Sequence, residues 1–364
     1  MVVLPIPSNP TLDAVYQSYE AVPQEDRSYL GMSTLGTECD RALWYTFRQI
    51  SSPEKFSGRM LRLFQTGHRE EARMIADLRG AGVQIDEVDP ATGRQFASAS
   101  VMGHFRGHAD GIGTGFLEAP KTPHLIECKT HSEKSFKDVV TKGVQLSKPG
   151  HYAQMQMYMH HLGLVRAFYI AHNKNTDELH SERIAYDPVI TGQLMARAER
   201  IITAQEPPAK LHENPESKMA FVCKWCPHFA VCHEGTMPRN HCRSCLSSTP
   251  VEGGFHCDVF RQVTDTHMQK MGCSRHLFIP ALLPGEQIDA DPENRTVTYK
   301  MRDGSTYVDG QQITPVAGPP RGSGGPPTDE TTDAVSQESS QEVFAIAVKS
   351  IDPPQPFQKK NNHA

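Results

Sequence analysis

The chain has 364 residues, with 37 Lys and Arg against 42 Asp and Glu and a formal net charge of -5. That length allows about two domains with an ample core, so no disulfide or metal staple is obligatory, and the charge excludes a uniformly basic nucleic-acid binder. The opening MVVLPIPSNPTL has neither a basic leader nor a signal-type apolar stretch, and no apolar run approaches the ~20 residues that span a bilayer, so a cytoplasmic protein with no membrane partner is expected.

Helical patterns run near 38–50 and 57–79, followed by extended stretches near 82–86, 96–109 and 124–129. A helix near 149–162 comes next, then the extended runs VRAFYIAH and ELHSERIAYD and a helix from about 188 to 205. The alternation predicts a mixed α/β domain. A Cys/His-rich segment spans Cys223 to His276, and RTVTYKMRDGSTYVDG reads as a hairpin turned at Asp303-Gly304. From about Val316 the Pro/Gly/Ser composition cannot bury enough apolar area to offset chain entropy, so the tail is expected to be disordered. Within it, VFAIAV at 343–348 reads as a remnant in preference to a docking peptide for a recombination or replication partner. Residues 321–342 carry one basic against five acidic side chains; the remainder is near neutral, and Lys134, Lys137, Lys142 and Lys148 are local basic candidates to meet phosphates. Net charge does not exclude DNA.

In HLIECKTHSEKSF a buried strand ends in charge. Alternation puts Glu127 and Lys129 on one face and Cys128 on the other. An E-x-K alone is commonly a surface ion pair, so its surroundings decide. Upstream, FRGHADGIGTG places Asp110 in an apparent hairpin leading into the same strand, and two hard carboxylates on neighbouring strands suit Mg²⁺ or Mn²⁺. A Lys alongside can orient a metal-bound water and offset charge on phosphorus. On the helix near 57–79, Leu61, Phe64, His68, Glu71, Ile75 and Leu78 form one stripe, in which His68 and Glu71 interrupt the apolar face and require partners. A lone His is ordinarily satisfied by a backbone carbonyl; beside Glu71 and facing the Asp110 and Glu127 strands, a metal ligand is favoured. In PGHYAQMQMYMHHLG, Gln154 and Tyr158 lie one turn apart, either an exposed pair or a contact to nucleic acid and Lys129.

In order, G-H-x-x-E (Gly67, His68, Glu71), G-x-x-D (Gly107, Asp110), E-x-K (Glu127, Lys129) and Q-x-x-x-Y (Gln154, Tyr158) resemble the motifs of PD-(D/E)XK nucleases of the RecB-like branch, over residues 33–235. The resemblance implies that His68, Asp110, Glu127 and the Cys128 backbone carbonyl bind Mg²⁺ or Mn²⁺, and that Lys129 positions the attacking water. It further implies that Gln154 and Tyr158 orient the site and DNA, with Glu71 a supporting acid. Iron-sulfur members of that branch hold a 4Fe-4S cluster on one N-terminal cysteine and a C-terminal trio, as in Cys39 with Cys223, Cys226 and Cys232 here.

The remaining cysteines, Cys242 and Cys245 followed by Cys257 and Cys273, fit a tetrahedral zinc site, with His276 as an alternative fourth ligand. Cys128 is left as an inert buried thiol. A rival grouping of Cys223, Cys226, Cys242 and Cys245 reads as a C-x2-C-x15-C-x2-C zinc ribbon but strands four other cysteines.

The expected architecture is an α/β restriction-endonuclease-like core with a mixed central sheet flanked by helices, a small zinc-ribbon-like module and a disordered tail. The expected segments are an extension at 1–27, the nuclease domain with its iron-sulfur clasp at 28–236, the zinc module with its hairpin at 237–314 and the tail at 315–364. The expected function is a metal-dependent DNA exonuclease of recombination, repair or end processing, on single strands or free ends, with a phage protein acting in host cytoplasm a fitting source. A structure-specific endonuclease and a non-catalytic DNA-binding scaffold are the competing readings.

Overall fold

A computed structural model describes residues 9–24, 27–53 and 55–310; the expected disordered tail and its VFAIAV segment lie outside them. The chain runs α1 (Pro10–Glu20), β1 (Leu30–Gly31), α2 (Asp40–Arg48), α3 (Gly58–Gly80), β2 (Gln84–Asp86), β3 (Ala97–Ser100), β4 (Phe105–His108), β5 (Gly111–Thr114) and β6 (His124–His131). It continues with α4 (Glu133–Ser147), α5 (Pro149–Leu162), β7 (Arg166–Asn173), β8 (Leu179–Ala185), α6 (Pro188–Thr203) and α7 (Phe229–His233). The C-terminal part holds β9 (Ser248–Val251), β10 (Gly254–Cys257), β11 (Gln262–Thr264), α8 (Thr266–Lys270), β12 (Gly285–Asp291), β13 (Thr296–Met301) and β14 (Thr306–Asp309). No helix among the described residues is long and apolar enough to cross a membrane.

The central sheet has the order β2-β5-β6-β7-β8, with β6 and β7 parallel and the other neighbours antiparallel. Both central strands are buried almost end to end, as expected of strands covered on both faces. One face carries Leu125 and Tyr169 and packs on α5 and α6 in the main core; the other carries Ile126, Cys128, Phe168 and Ile170 and packs on Met74, Ile75 and Leu78 of α3. α5 is helical over the span its sequence predicts, begins on Pro149 at a position where the missing N–H costs nothing, and stops on Gly163 in the left-handed region.

Two sequence expectations change. The stretch 96–109 is not one strand: Val101 and Met102 both take positive φ, folding it into a β3–β4 hairpin. With β1, that hairpin forms a separate three-stranded sheet. Asp110 therefore stands where the chain passes from one sheet to the other, not in a hairpin turn. The hairpin at Asp303-Gly304 is present as β13–β14, with Gly304 at φ 85°. Residues expected to form a separate C-terminal module contribute Phe255, Ile279 and Leu282 to the same core as Trp44 and Phe47.

Candidate active site

Gly111 pairs with Ile126, so the next step along the antiparallel ladder brings Asp110 level with Glu127. The Cys128 N–H donates a 2.9 Å hydrogen bond to Asp110 Oδ2, which fixes that carboxylate against the strand. Glu127 and Lys129 are both buried on one face, with Lys129 Nζ 2.5 Å from Glu127 Oε1. On the other face, burial raises the Cys128 thiol well above its ordinary range; the negative charges of Asp110, Glu71 and Glu127 add to this and Lys129 opposes it. Three carboxylates from three elements act on one point of β6. α3 covers the Cys128 face; its Glu71, half-buried, is close enough for its charge to act on the Cys128 thiol, and His68, also half-buried, stands one turn before it on the same helix.

On the α5 side, Gln154 and Tyr158 are buried and joined by a 3.4 Å bond from Gln154 Nε2 to the Tyr158 hydroxyl. The exposed-pair alternative is thereby set aside: α5 is wrapped by core on nearly every side, and Tyr158 is 0% exposed. A Cβ on Gly107 would collide with the Tyr158 ring, which explains a glycine three residues before Asp110. Gln154 Oε1 is buried with no hydrogen-bond partner among the described residues.

Sequence reasoning missed a cluster next to this pair. The Tyr169 hydroxyl lies 2.8 Å from both His131 Nε2 and His151 Nδ1, and His131 Nδ1 is 2.9 Å from the Ser135 hydroxyl. Tyr169 pairs with Glu127 across the parallel ladder, His131 follows Lys129 on the same face, and His151 is one turn before Gln154. The hydroxyl therefore ties the strand of the E-x-K to the helix of the Q-x-x-x-Y. The i, i+2 spacing from Lys129 to His131 was visible in sequence; the Tyr169 bridge was not, because it depends on strand register. Burial, followed by the charges of Lys148 and Lys129, pushes the His131 imidazole down to about 3, so it is neutral in the folded protein.

The cysteines gather in two groups. The Cys226 thiol is pushed up to about 12 by burial, with Cys39, Cys232 and Cys223 adding to the rise. Cys242 rises to about 11 through burial and then Cys273, Cys245 and Cys257. Cys242, Cys245, Cys257, Cys273 and His276 line one cavity of about 160 Å³. No charge of one group figures in either shift of the other, which disfavours the rival Cys223/Cys226/Cys242/Cys245 grouping. Cys39 itself caps α2, its Sγ accepting from Ala42 N–H at 3.4 Å. Among the described residues no three His, Cys, Asp or Glu side chains form a ready metal cage. The donors nonetheless match in chemistry: carboxylates where the start of β5 lies beside β6 for a hard cation, thiols in both cysteine groups for soft metals.

No family model and no curated protein matches the chain. Among solved structures, SSO0001 overlaps it at 15% identity and a TM-score of 0.36, covering 61% of this chain and 96% of that one. LHK-Exo in complex with dAMP gives 14% identity and 0.33, over 52% and 90%, and the alkaline exonuclease LHK-Exo from Laribacter hongkongensis gives 16% and 0.32, over 51% and 90%. Overlaps this partial carry no functional inference.

Proposed function

We propose that the chain is a divalent-metal-dependent deoxyribonuclease that hydrolyses phosphodiester bonds, acting as an exonuclease in recombination, repair or end processing. The observation that carries this reading is the buried Glu127–Lys129 pair with Asp110 level beside it, bound to the Cys128 N–H. Burying an ammonium and a carboxylate at a strand end, with a second, half-buried carboxylate beside them, is costly for stability and suits a site that must handle phosphate charge.

In this reading Asp110, Glu127 and the Cys128 carbonyl hold Mg²⁺ or Mn²⁺, with His68 reaching the same ion. The ion supplies Lewis acidity and a nucleophilic water. Lys129 orients that water and offsets charge on the phosphoryl oxygens, while Glu127 keeps the ammonium in place. Glu71 adds negative potential that favours a cation. Gln154 and Tyr158, being buried, hold the site from behind; Gln154 Oε1 is left to accept a bond from Lys129 or the water shell. Cys39, Cys223, Cys226 and Cys232 hold a 4Fe-4S cluster that clasps α2 to the segment after α6, and Cys242, Cys245, Cys257 and Cys273 hold zinc, with His276 the alternative fourth ligand.

The test is incubation of end-labelled single- and double-stranded DNA with Mg²⁺ or Mn²⁺, alongside Lys129→Ala and Asp110→Ala. Each substitution is expected to slow cleavage by about 10²- to 10⁴-fold without abolishing DNA binding. Wild type and both variants leaving DNA equally intact would replace this reading with a DNA-binding scaffold. Cutting of closed circular substrates would replace the exonuclease with an endonuclease.

A further inference from the structure

One face of α3 is turned to solvent and carries Arg59, Arg62, Arg69 and Arg73; with Thr66 between them, successive positions are three or four residues apart and stand above one another. The opposite face sends Phe64, Ile75 and Leu78 into the core, so the arginine stripe looks away from β6 and the candidate active site. Arg73 shows what this face takes. Its Nη1 and Nη2 donate to Asp177 Oδ1 and Oδ2 at 2.8 Å each, a two-pronged pair with a carboxylate from the turn between β7 and β8. Farther along the stripe the fold supplies no such group. Among the described residues Arg59, Arg62 and Arg69 are exposed and pair with no carboxylate, and Arg59 reaches only the Met60 sulfur. The Glu20 carboxylate of the neighbouring α1 is taken up by the Gly58 N–H at 2.6 Å.

The chain itself holds a segment of matching chemistry. Residues 322–342 contain Asp329, Glu330, Asp333, Glu338 and Glu342 and no basic side chain. Residues 311–328 join Gly310, the last described residue, to Asp329. At about 3.3 Å each they reach about 60 Å, more than the roughly 50 Å width of a compact domain of about 300 residues. The tether therefore allows contact with α3 from any point of the surface. The charge spacing also agrees: Arg62 and Arg69 stand about 10 Å apart along the helix axis, and Glu330 to Asp333 spans about 10 Å of extended chain. A single exposed ion pair contributes little, but a tethered segment is present at an effective concentration of about a millimolar, and several pairs form together.

We infer that the acidic segment 329–342 folds back on its own chain and docks on the Arg59, Arg62 and Arg69 face of α3. The inference does not depend on the nuclease reading. Guanidinium groups match carboxylates with paired charge-assisted bonds, as Arg73 already does on this face. DNA phosphates offer the same charge; the tail is favoured because the stripe lies on the side of α3 away from the candidate active site and because the tether is always present. The docked segment covers positive charge that otherwise attracts nucleic acid without regard to sequence.

The experiment places p-benzoylphenylalanine at Thr66, in the middle of the stripe, in the full chain, and identifies by mass spectrometry the segment it captures on irradiation. It is run on the otherwise wild-type protein, on Arg62→Glu with Arg69→Glu, on Asp329→Lys with Glu330→Lys and Asp333→Lys, and on all of these substitutions together. The α3 arginines are exposed, so the fold is expected to stand. Capture of the tail is expected in wild type at low salt. It is expected to fall about fivefold or more in either charge-reversed protein and at about 1 M salt, where the screening length is about 3 Å, and to return when both partners are reversed. No capture of the tail in wild type, equal capture in every protein, or no recovery in the doubly reversed one overturns the inference. A tail captured only by a second copy, seen as a doubled mass, overturns docking within one chain. Binding of a DNA duplex without divalent metal is read on the same proteins; a loss confined to the α3 reversal, with no tail capture, assigns the stripe to DNA and overturns the inference as well.

Discussion

Tyr169 shows how much of this site is held by single atoms. Its hydroxyl has one proton and two imidazole neighbours, so it donates to one of His131 and His151 and accepts from the other, and the two tautomers are coupled. Tyr169→Phe keeps the ring and leaves both imidazole nitrogens without that partner. A loss of roughly 1–3 kcal/mol of stability is expected. If the hydroxyl also sets the register of α5 against Glu127 and Lys129, turnover falls about tenfold while KM for DNA holds, which steady-state kinetics on labelled DNA would read. His131 makes a pH prediction. Its folded value of about 3 lies below the ordinary ~6.5 of an unfolded chain, so between these limits the unfolded state binds the extra proton. The stability it contributes is complete above about 6.5 and drains as pH falls toward 3. Thermal midpoints measured from pH 7 downward are expected to fall less steeply in His131→Gln than in wild type.

At the scale of elements, close approach explains Gly107 of the motifs but not Gly67, where a Cβ would meet nothing within 4 Å. Gly107→Ala would drive a methyl into Tyr158, a fully buried ring with no room to yield, and a cost of roughly 1–3 kcal/mol is expected in chemical denaturation. Elements with strong local signals were legible: α3 and α5 fall within a residue or so of their predicted spans, and β7 and the β13–β14 hairpin are in place. α4 went unassigned because its Lys-rich face hides a weak apolar stripe, and Gly143 at φ 72° interrupts it. The β3–β4 fold-back was missed because Val101 and Met102 adopt a conformation their side chains disfavour, which no local pattern announces.

Across the whole molecule, α2 links the two cysteine groups. Cys39 caps its start, and near its end the Arg243 guanidinium donates to the carbonyls of Phe47 and Ser28 at 2.7 Å each. Arg48 returns the grip, donating to the carbonyls of Ser248 and Arg243, and burial lowers its guanidinium to about 10. Arg243→Met is expected to free the segment after 237 from α2, seen as earlier cleavage there in limited proteolysis. Anaerobically purified protein is expected to carry about four iron and about one zinc per chain, with Cys226→Ser losing only iron and Cys242→Ser only zinc. Zinc without iron would remove the cluster and leave the nuclease reading standing.

The sequence by itself determined the strongly periodic elements such as α3, α5 and β7, the E-x-K on one strand face, the order of the motifs and the inventory of cysteines, because 3.6- and 2-residue periodicities and ligand spacings are local properties. Only the tertiary structure decided that Asp110 lies level with Glu127, that Tyr169 bridges two histidines, that eight of the nine cysteines gather in two groups of four, and that Arg27 is buried without an acceptor among the described residues. Each of these depends on strand register or on packing between segments far apart in the chain, and neither is written in any short stretch of residues.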